Sequence, residues 1–394
     1  MRFGERLLLD ACTRFDRLVL DHFIRRAPTP PPPGLHARLE RARAFYGDPR
    51  FIADPDAFFV PPRPIRTATP DRILGLPGGD VVRLDYETDF QPTFPEARAD
   101  AIDRCNAHGV ALWWRHARRG HPTMLCVHGY GGGQTWLESL AFEAVSFYRA
   151  GVDVVIYVLP YHGARTPAGA RHSGELFFDM DLVRTNEAFA RAIYELRGLA
   201  RFFAASGSGP VGAFGMSLGA YTTALLATVE PLAFVTAMIP VVSFADRWWC
   251  DGEGDPWLAV ALANGWSREG VQTILRVHEP LARPVRVPRD RLLVIGARGD
   301  GICTPRHAKL LWRHWGRPRI HWYTGGHLLQ LGRWAALRDV RALVADLRRQ
   351  ASVVPLGAIP RNRRTPRRRA AWADPRRRAA RAPRPRTLHA RRVH

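Results

Sequence analysis

The sequence predicts an α/β protein with a mostly parallel sheet covered by helices on both faces. Short apolar runs alternate along the chain with longer segments of helical periodicity, which is the usual pattern of this fold class. Several runs end in glycine-rich turns that carry polar residues, so candidate functional groups are expected beyond the strand ends. Apolar residues make up 46% of the 394 positions, which permits one large core.

Eight runs have the length and composition of strands. In chain order they are residues 81–86, 110–115, 123–127, 154–159, 211–214, 234–239, 292–295 and 320–323. The clearest helix precedes the strand at 211–214 and repeats apolar side chains at spacings of four and three; its stripe is Phe189, Ile193, Leu196, Ala200 and Phe203. We expect this stripe to cover the sheet.

The pentapeptide GMSLG, residues 215–219, joins the strand at 211–214 to a helix-like stretch. A serine in such a turn, with small residues two before and two after it, is typical of a nucleophile elbow, where a strained backbone exposes the hydroxyl. Gly215 and Gly219 fill the two small positions. The helix that follows directs its positive end toward the site, which favours an oxyanion. We therefore predict Ser217 as a nucleophile.

An acid and a histidine follow the serine in the chain order that accompanies this elbow. In RLLVIGARGDGICTP a buried strand runs into a glycine-rich turn that presents Asp300, and in RIHWYTGGH the last strand is followed by His327. We predict Asp300 as the orienting acid and His327 as the general base. The alternative acids follow the preceding strand and are Asp246, Asp251 and Asp255.

The segment TMLCVHGYGGG predicts a strand followed by a turn whose backbone N–H groups can face a developing negative charge. The two expected oxyanion donors are the N–H groups of Leu218 and Tyr130. His128 is expected to brace the turn. A dinucleotide-binding turn is disfavoured because a bulky residue, Gln134, stands where the fingerprint needs a small one.

These motifs resemble those of the alpha/beta-hydrolase superfamily, from about residue 81 to about residue 347. Two further stretches, LPYHGARTPAGARHSGELFFDMDLVRTNEA and ICTPRHAKLLWRHWGRPRIHWYTGGHLLQLGR, are similar to the branch that contains alpha/beta-hydrolase domain-containing protein eighteen. The resemblance implies an alpha/beta-hydrolase fold and an intact triad of Ser217, Asp300 and His327. It implies no particular substrate.

The chain is expected to hold three regions. Residues 1–75 are predicted to form an amphipathic helix, a proline-rich linker and a lead-in; residues 76–350 form the catalytic domain; residues 351–394 form a disordered tail rich in arginine and proline. The helix has an apolar stripe of Leu8, Cys12, Phe15, Val19 and Phe23. It is expected to pack on the catalytic domain, and docking on a membrane surface is the alternative.

The segment at about 241–288 is too long for a simple connection and is predicted to form a helical cap. Its Trp248 and Trp249 either line a substrate pocket or pack the cap's own small core. After the strand at 154–159, His162 and Arg165 are expected near the mouth of the site. Arg165 could hold an anionic group of the substrate, and a salt-bridged structural arginine is the alternative.

The net charge of +22 is concentrated at one end of the chain. Residues 361–394 contain fourteen arginines and one acid, a charge of 14 − 1 = +13. This tail has a single aromatic residue, so no specific nucleic-acid partner is expected. The five cysteines and the scattered histidines lack the spacings of metal or disulfide motifs, so we expect no cofactor and no catalytic metal.

The predicted activity is hydrolysis of a carboxylic ester or thioester through an acyl-enzyme on Ser217. An acyltransferase, a lipid acyl hydrolase with the same triad, and a non-catalytic binding protein of this fold are the alternatives. The N-terminus lacks the uninterrupted apolar core of a signal peptide, and no stretch is long and apolar enough to span a membrane. We expect a cytoplasmic protein with at most weak contact to a membrane surface and with a small-molecule or lipid ester substrate.

Overall fold

A computed structural model of the chain describes residues 3–24, 34–65, 70–99, 105–178, 180–252, 256–350 and 354–355. All of these described residues belong to one compact unit. The predicted proline-rich linker at 28–33 lies outside the described residues, and so does the predicted disordered tail at 351–394 except for Val354 and Pro355, which form a short strand where the sequence predicts disorder.

The described residues contain a nine-stranded sheet and a separate two-stranded ladder. In chain order the strands are β1 (Asp71–Leu76), β2 (Gly79–Glu87), β3 (His108–His116), β4 (Arg118–Arg119), β5 (Thr123–Val127), β6 (Asp153–Tyr157), β7 (Val211–Met216), β8 (Val235–Met238), β9 (Leu292–Ala297), β10 (Arg319–Tyr323) and β11 (Val354–Pro355). The large sheet has the order β1-β2-β3-β6-β5-β7-β8-β9-β10, and β4 pairs with β11. From β6 to β10 all neighbours are parallel, whereas β1, β2 and β3 extend the sheet in antiparallel fashion.

All eight predicted strands are present, but the prediction of an eight-stranded sheet was one strand short. The additional strand, β1, is exposed along most of its length and pairs only with β2. Its sequence, DRILGL, begins with two charged residues and has only a short apolar stretch, in keeping with a solvated edge of the sheet. By contrast, β5 and β6 are buried at every position, which is why their sequences are uniformly apolar or nearly so.

Helices cover both faces of the sheet. They are α1 (Phe3–Ile24), α2 (Leu35–Tyr46), α3 (Arg50–Ala53), α4 (Thr135–Ala141), α5 (Ala144–Arg149), α6 (Leu182–Ala205), α7 (Leu218–Val229), α8 (Phe244–Trp249), α9 (Pro256–Ala263), α10 (Arg268–Leu275), α11 (Pro305–His314) and α12 (Arg333–Gln350). Alternate strand residues enter two separate cores: Leu125 and Val127 join α6, α7 and α11, while Met124 and Cys126 join α5 and α12. The predicted apolar stripe of α6 is buried.

The segment between β8 and β9 is helical, as its length predicts. It carries α8, α9 and α10, and apolar side chains such as Phe244, Trp248 and Ile274 belong to the same core as α6 and α7. Helix α10 packs against both α8 and α2. The inserted segment is therefore continuous with the main core.

The N-terminal helix forms as predicted, but its buried face differs from the expected apolar stripe. Cys12 is buried, whereas Leu8 and Phe15 are 39% and 42% exposed, and the polar Asp16 is fully buried. The helix contacts glycine-rich loops through small and polar side chains, so the spacing of its apolar residues does not identify its buried face. Within the described part of the chain, no helix combines the length and apolar composition needed to cross a membrane.

Candidate active site

Ser217 occupies the sharp turn between β7 and α7, with φ 55° and ψ −117°. This backbone conformation is unfavourable for a residue with a side chain, so the surroundings must hold it. A Cβ atom added at Gly215 would overlap the carbonyl of Gly219, and one added at Gly219 would overlap the carbonyl of Val127 at the end of β5. The two glycines of the GxSxG motif are therefore required by direct contact between backbones.

The three predicted catalytic side chains form one hydrogen-bonded series. His327 Nε2 lies 2.9 Å from Ser217 Oγ, and His327 Nδ1 lies 2.9 Å from Asp300 Oδ2. The other oxygen of Asp300 accepts hydrogen bonds from the N–H groups of Ile302 and Cys303, at 2.9 and 2.7 Å. Asp300 and His327 are buried, and Ser217 is partly exposed. Ser217 and Asp300 are thus linked through His327, which contacts both of them.

The imidazole of His327 experiences two opposing influences. Burial disfavours the charged ring and would lower its pKa, but the negative charge of Asp300, its hydrogen bond and a contact with Cys303 stabilise the imidazolium. The favourable interactions are stronger, so the pKa of His327 lies well above its usual value. The site is therefore suited to holding the positive charge that arises when His327 accepts a proton.

The glycine-rich turn after β5, residues 129–133, runs beside the serine. A Cβ atom added at Gly129 would lie 3.4 Å from Ser217 Cβ, and Gly131 and Gly133 have φ angles of 78° and 103°. The expected donor Tyr130 follows Gly129 directly. The other expected donor, Leu218, is the first residue of α7, and its N–H therefore has no acceptor within the helix.

His128 fixes the start of this turn. Its Nδ1 lies 2.8 Å from the carbonyl oxygen of Gly129, and its Nε2 accepts the N–H of Leu159 at 3.1 Å. Burial lowers the pKa of His128 to about 4, although the bond to Gly129 acts in the opposite direction. A neutral ring donates at Nδ1 and accepts at Nε2, in agreement with both contacts. His128 thus ties the turn to the segment after β6, as the bracing role predicts.

His162 and Arg165 are buried, whereas the sequence predicts that they lie near the mouth of the site. His162 is fully buried; burial and the neighbouring His128 hold its pKa well below the usual value. Arg165 is also fully buried, with both terminal nitrogens bonded to Glu195 at 2.6 and 2.8 Å and further bonds to the carbonyls of Val158 and Asn106. These contacts occupy the guanidinium, as the alternative of a salt-bridged arginine describes.

Trp248 is buried and packs against Phe178, at 5.4 Å between ring centroids, and against Trp249. The contacts of Trp248 match the alternative in which it packs an apolar core, while Trp249 is partly buried. Two of the alternative acids are engaged elsewhere: Asp246 binds Arg268 and Arg306, and Asp251 binds His307. The third, Asp255, lies outside the described residues.

Two residues at the site had no role in the sequence analysis. Cys303 contacts His327 in addition to donating its N–H to Asp300. Asp16 on α1 accepts hydrogen bonds from the loops that carry Asp300 and His327. No local motif marks either residue. Among the described residues, no cluster of three or more His, Cys, Asp or Glu side chains is arranged to hold a metal ion.

Comparison with known proteins agrees with this architecture. Residues 103–259 match the family described as alpha/beta hydrolase domain containing 18. An uncharacterized protein of Mycobacterium tuberculosis, Rv2627c, is 28% identical over 295 residues, which cover 72% of this chain and 68% of that protein. The chain has the alpha/beta-hydrolase fold, and residues 103–259 are similar to that one family of it.

Two solved structures share the fold over most of the chain. Acetyl xylan esterase 1 from Thermoanaerobacterium sp. JW/SL YS485 is 17% identical, with a TM-score of 0.53, and the match covers 81% of this chain and 96% of that one. An acetyl xylan esterase from Paenibacillus sp. R4 is 14% identical, with a TM-score of 0.51, over 80% and 96% of the two chains. At these identities the likeness concerns the fold.

Proposed function

We propose that this protein is a serine hydrolase that cleaves a carboxylic ester or thioester through an acyl-enzyme. One observation carries the proposal: Ser217, on a strained elbow, is hydrogen-bonded to His327, which is hydrogen-bonded to the buried Asp300. A serine hydroxyl is a weak nucleophile until a base removes its proton, and this series supplies a base whose charged form is stabilised. The esterase fold of the structural neighbours is compatible with the same chemistry.

In the proposed reaction, Ser217 Oγ attacks the acyl carbon while its proton passes to His327 Nε2. The carbonyl oxygen becomes an oxyanion, which the N–H groups of Leu218 and Tyr130 are proposed to stabilise. Collapse of the intermediate breaks the bond to the leaving alcohol or thiol, which takes the proton from His327. A water molecule then gives a proton to His327 and attacks the acyl-enzyme, and this proton returns to Ser217 as the acid leaves. Asp300 holds the imidazolium at both stages.

The same residues would support acyl transfer if an alcohol or amine replaced the water, because the acyl-enzyme is common to both reactions. A non-catalytic binding protein is a weaker proposal. A binding site alone does not need a base in contact with the serine, and this chain retains that contact together with the strained elbow.

A lipid ester is the second candidate substrate, favoured by exposed apolar side chains next to the site. Two segments contribute to this apolar rim: helix α4, just after the 129–133 turn, and the residues just after His327. The rim consists of Trp136, Leu137, Leu140, Leu328 and Leu329, which are between 42% and 70% exposed. Exposed apolar side chains grouped in this way favour contact with an apolar ligand or surface.

Labelling with a fluorophosphonate probe tests the proposed nucleophile. We expect the purified protein to form a covalent adduct at Ser217, located by peptide mass, and we expect no adduct in Ser217→Ala. His327→Ala should slow labelling by several orders of magnitude because the base is lost. Ser208→Ala, at the opposite end of β7 from Ser217, is the matched control and should label at the wild-type rate. A folded wild-type protein that neither labels nor hydrolyses short esters would contradict the proposal.

A further inference from the structure

The N-terminal helix α1 lies against the two loops that carry Asp300 and His327. Thr13 donates its hydroxyl to the carbonyl of Gly299 at 3.1 Å, and Glu5 accepts a hydrogen bond from Arg298 at 3.3 Å. These loops follow β9 and β10, and they are nearly three hundred residues from α1 in sequence. The helix therefore contacts the candidate catalytic groups through their supporting backbone.

Asp16 is the residue through which α1 joins the two loops. Its side chain is fully buried. Among the described residues, its carboxylate accepts three backbone hydrogen bonds: Oδ2 from the N–H groups of Gly301 at 3.1 Å and His327 at 2.6 Å, and Oδ1 from that of Leu328 at 3.0 Å. The first donor follows Asp300 directly, and the second belongs to the base itself. One carboxylate thus binds the acid loop and the histidine loop together.

Glycines allow the helix to approach this closely. A Cβ atom added at Gly326 would lie 2.7 Å from Asp16 Oδ2 and 3.1 Å from Cys12 Cβ, and one added at Gly301 would lie 2.5 Å from the carbonyl oxygen of Thr13. A side chain at either position would push α1 away. The glycines before His327 and after Asp300 therefore make room for the Asp16 carboxylate.

We propose that Asp16 is a positioning residue. By binding both loops, it holds Asp300 and His327 at hydrogen-bonding distance from each other. Hydrogen bonds from N–H groups to a carboxylate are among the stronger ones in proteins. Only two further backbone hydrogen bonds between the loops are described, from Arg298 to Tyr323 and from Gly299 to Gly325, and both lie on the strand side of the site. Without Asp16 the loops stay attached near the sheet, but their tips lose the shared acceptor. This inference rests on the proposed hydrolase function.

Asp16→Asn is the sharpest test because the amide has the shape of the carboxylate, yet it presents one NH₂ group to backbone donors. We expect a folded variant whose maximal labelling rate by the fluorophosphonate falls by about 10- to 100-fold, the size expected when a catalytic group is displaced by about 1 Å. The concentration of probe giving half-maximal rate should change less than twofold, because α1 contributes no group proposed to bind the probe. Asp10→Asn, on the exposed face of the same helix, is the matched control and should label at the wild-type rate.

A second readout does not depend on reactivity. The proton between His327 Nδ1 and Asp300 should give a low-field proton resonance that is absent from His327→Ala. In Asp16→Asn we expect this resonance to shift or to broaden through exchange with water, and in Asp10→Asn we expect it to be unchanged. If Asp16→Asn does not fold, Gly326→Ala replaces it, because the added methyl group presses on the Asp16 carboxylate.

The outcomes separate this inference from the proposed function. A folded Asp16→Asn that labels at the wild-type rate and keeps the low-field resonance would overturn the role of Asp16 while the hydrolase function stands. If the folded wild-type protein neither labels nor hydrolyses short esters, the hydrolase function fails. The low-field resonance then still decides whether Asp16 holds the Asp300–His327 pair. A loss of labelling caused only by unfolding would lower the labelled fraction without changing the rate of the folded remainder, and this result would also overturn the proposal.

Discussion

At the scale of single residues, the proposed mechanism makes the reactivity of Ser217 depend on the protonation state of His327. Only the neutral ring can accept the serine proton, so the pKa of His327 decides at which pH the site works. Burial and Asp300 act on this pKa in opposite directions. Burial is the largest single influence, but the contacts of Asp300 and Cys303 together outweigh it; the Asp300 oxygen lies only 2.9 Å from the ring in a region where little water screens its charge.

The raised pKa of His327 predicts where activity is lost in acid. As the pH falls through this pKa, the ring gains a proton and can no longer act as a base, so the labelling rate should fall. Because Asp300 raises the pKa, the midpoint of this fall is expected above pH ~6.5, the ordinary value for histidine. The measurement is the fluorophosphonate labelling rate against pH.

Asp246→Asn is the control for this profile, since Asp246 is bound by Arg268 and Arg306 and does not contact His327. Its midpoint should equal that of the wild type. Asp300→Asn should label about 10⁴-fold more slowly, because the amide favours the wrong histidine tautomer. A wild-type midpoint below the ordinary histidine value would mean that burial outweighs Asp300.

Local sequence singles out Ser217, Asp300 and His327, which the structure brings into hydrogen-bonding contact, because each follows an apolar strand in a turn with permissive glycines. Asp16 could not be found in this way. Its partners are backbone N–H groups that lie 285 to 312 positions away, and a backbone donor leaves no signature in the sequence. In the sequence, Asp16 resembles an ordinary exposed acid of an amphipathic helix. Its contacts with the loops that carry Asp300 and His327 exist only in the folded chain.

At the scale of elements, the pair of Arg165 and Glu195 joins the segment after β6 to helix α6. Both side chains are 1% exposed, and Glu195 also accepts the hydroxyl hydrogen of Tyr157 at 2.6 Å. The segment after β6 also packs beside the 129–133 turn, because a Cβ atom added at Gly133 would approach Gly163 and His162 within 3.1 Å. The ion pair therefore stabilises the segment that packs against the 129–133 turn.

Arg165→Met should destabilise the protein by about 3–5 kcal/mol, because it leaves Glu195 buried without its partner. The double variant Arg165→Met, Glu195→Leu should recover part of this loss, since it removes both charges. Chemical denaturation measures the free energy of unfolding of each variant. If Arg165 instead binds an anionic group of the substrate, the single variant would weaken substrate binding while its stability stayed close to the wild-type value.

The elements that sequence patterns missed are those at solvated positions. Strand β1 has one partner strand and no buried residue, so its composition carries no strong periodic signal. On α1, the apolar spacing predicts that Leu8 and Phe15 are buried. They are exposed, because the helix contacts loop backbone and not an apolar surface. Buried elements such as β5 and α6, in contrast, are defined by their own sequences.

At the scale of the whole molecule, the order of the strands assembles the site. Strands β5, β7, β9 and β10 are parallel to one another within the sheet, so the loops after their carboxyl ends meet at one edge. Periodicity predicts the strands but not their order in the sheet. Strand β5 lies between β6 and β7, and the pairing with β7 joins residues that are far apart in the sequence. Both segments of the apolar rim follow loops of this edge, since α4 comes after the turn that follows β5, and Leu328 and Leu329 come after the loop that follows β10.

The apolar rim predicts a preference for esters presented at an apolar surface. Leu137→Ser combined with Leu140→Ser removes two side chains that are 64% and 70% exposed. We expect roughly a tenfold or greater loss of activity on a dispersed long-chain ester, since burying one leucine is worth about 1.5–3 kcal/mol. Hydrolysis of a soluble acetyl ester should change less than twofold.

Leu262→Ser is the control for the rim, because Leu262 is 55% exposed on α9 and is not part of it. Its activity on both esters should equal that of the wild type. Equal losses on the soluble and the dispersed ester in the rim variant would show that the two leucines support the fold of the turn instead of contacting the substrate.

The position of α1 bears on how the gene is cloned. A fragment cut to the family match would encode residues 103–259, which include Ser217 but neither Asp300 nor His327. A longer fragment that starts at β1 would restore both residues. It would lack Asp16, however, and the N–H groups of Gly301, His327 and Leu328 would lose the carboxylate that accepts their hydrogen bonds. An affinity tag is therefore better placed away from α1, and an inert product from a shortened gene would say little about the full-length protein.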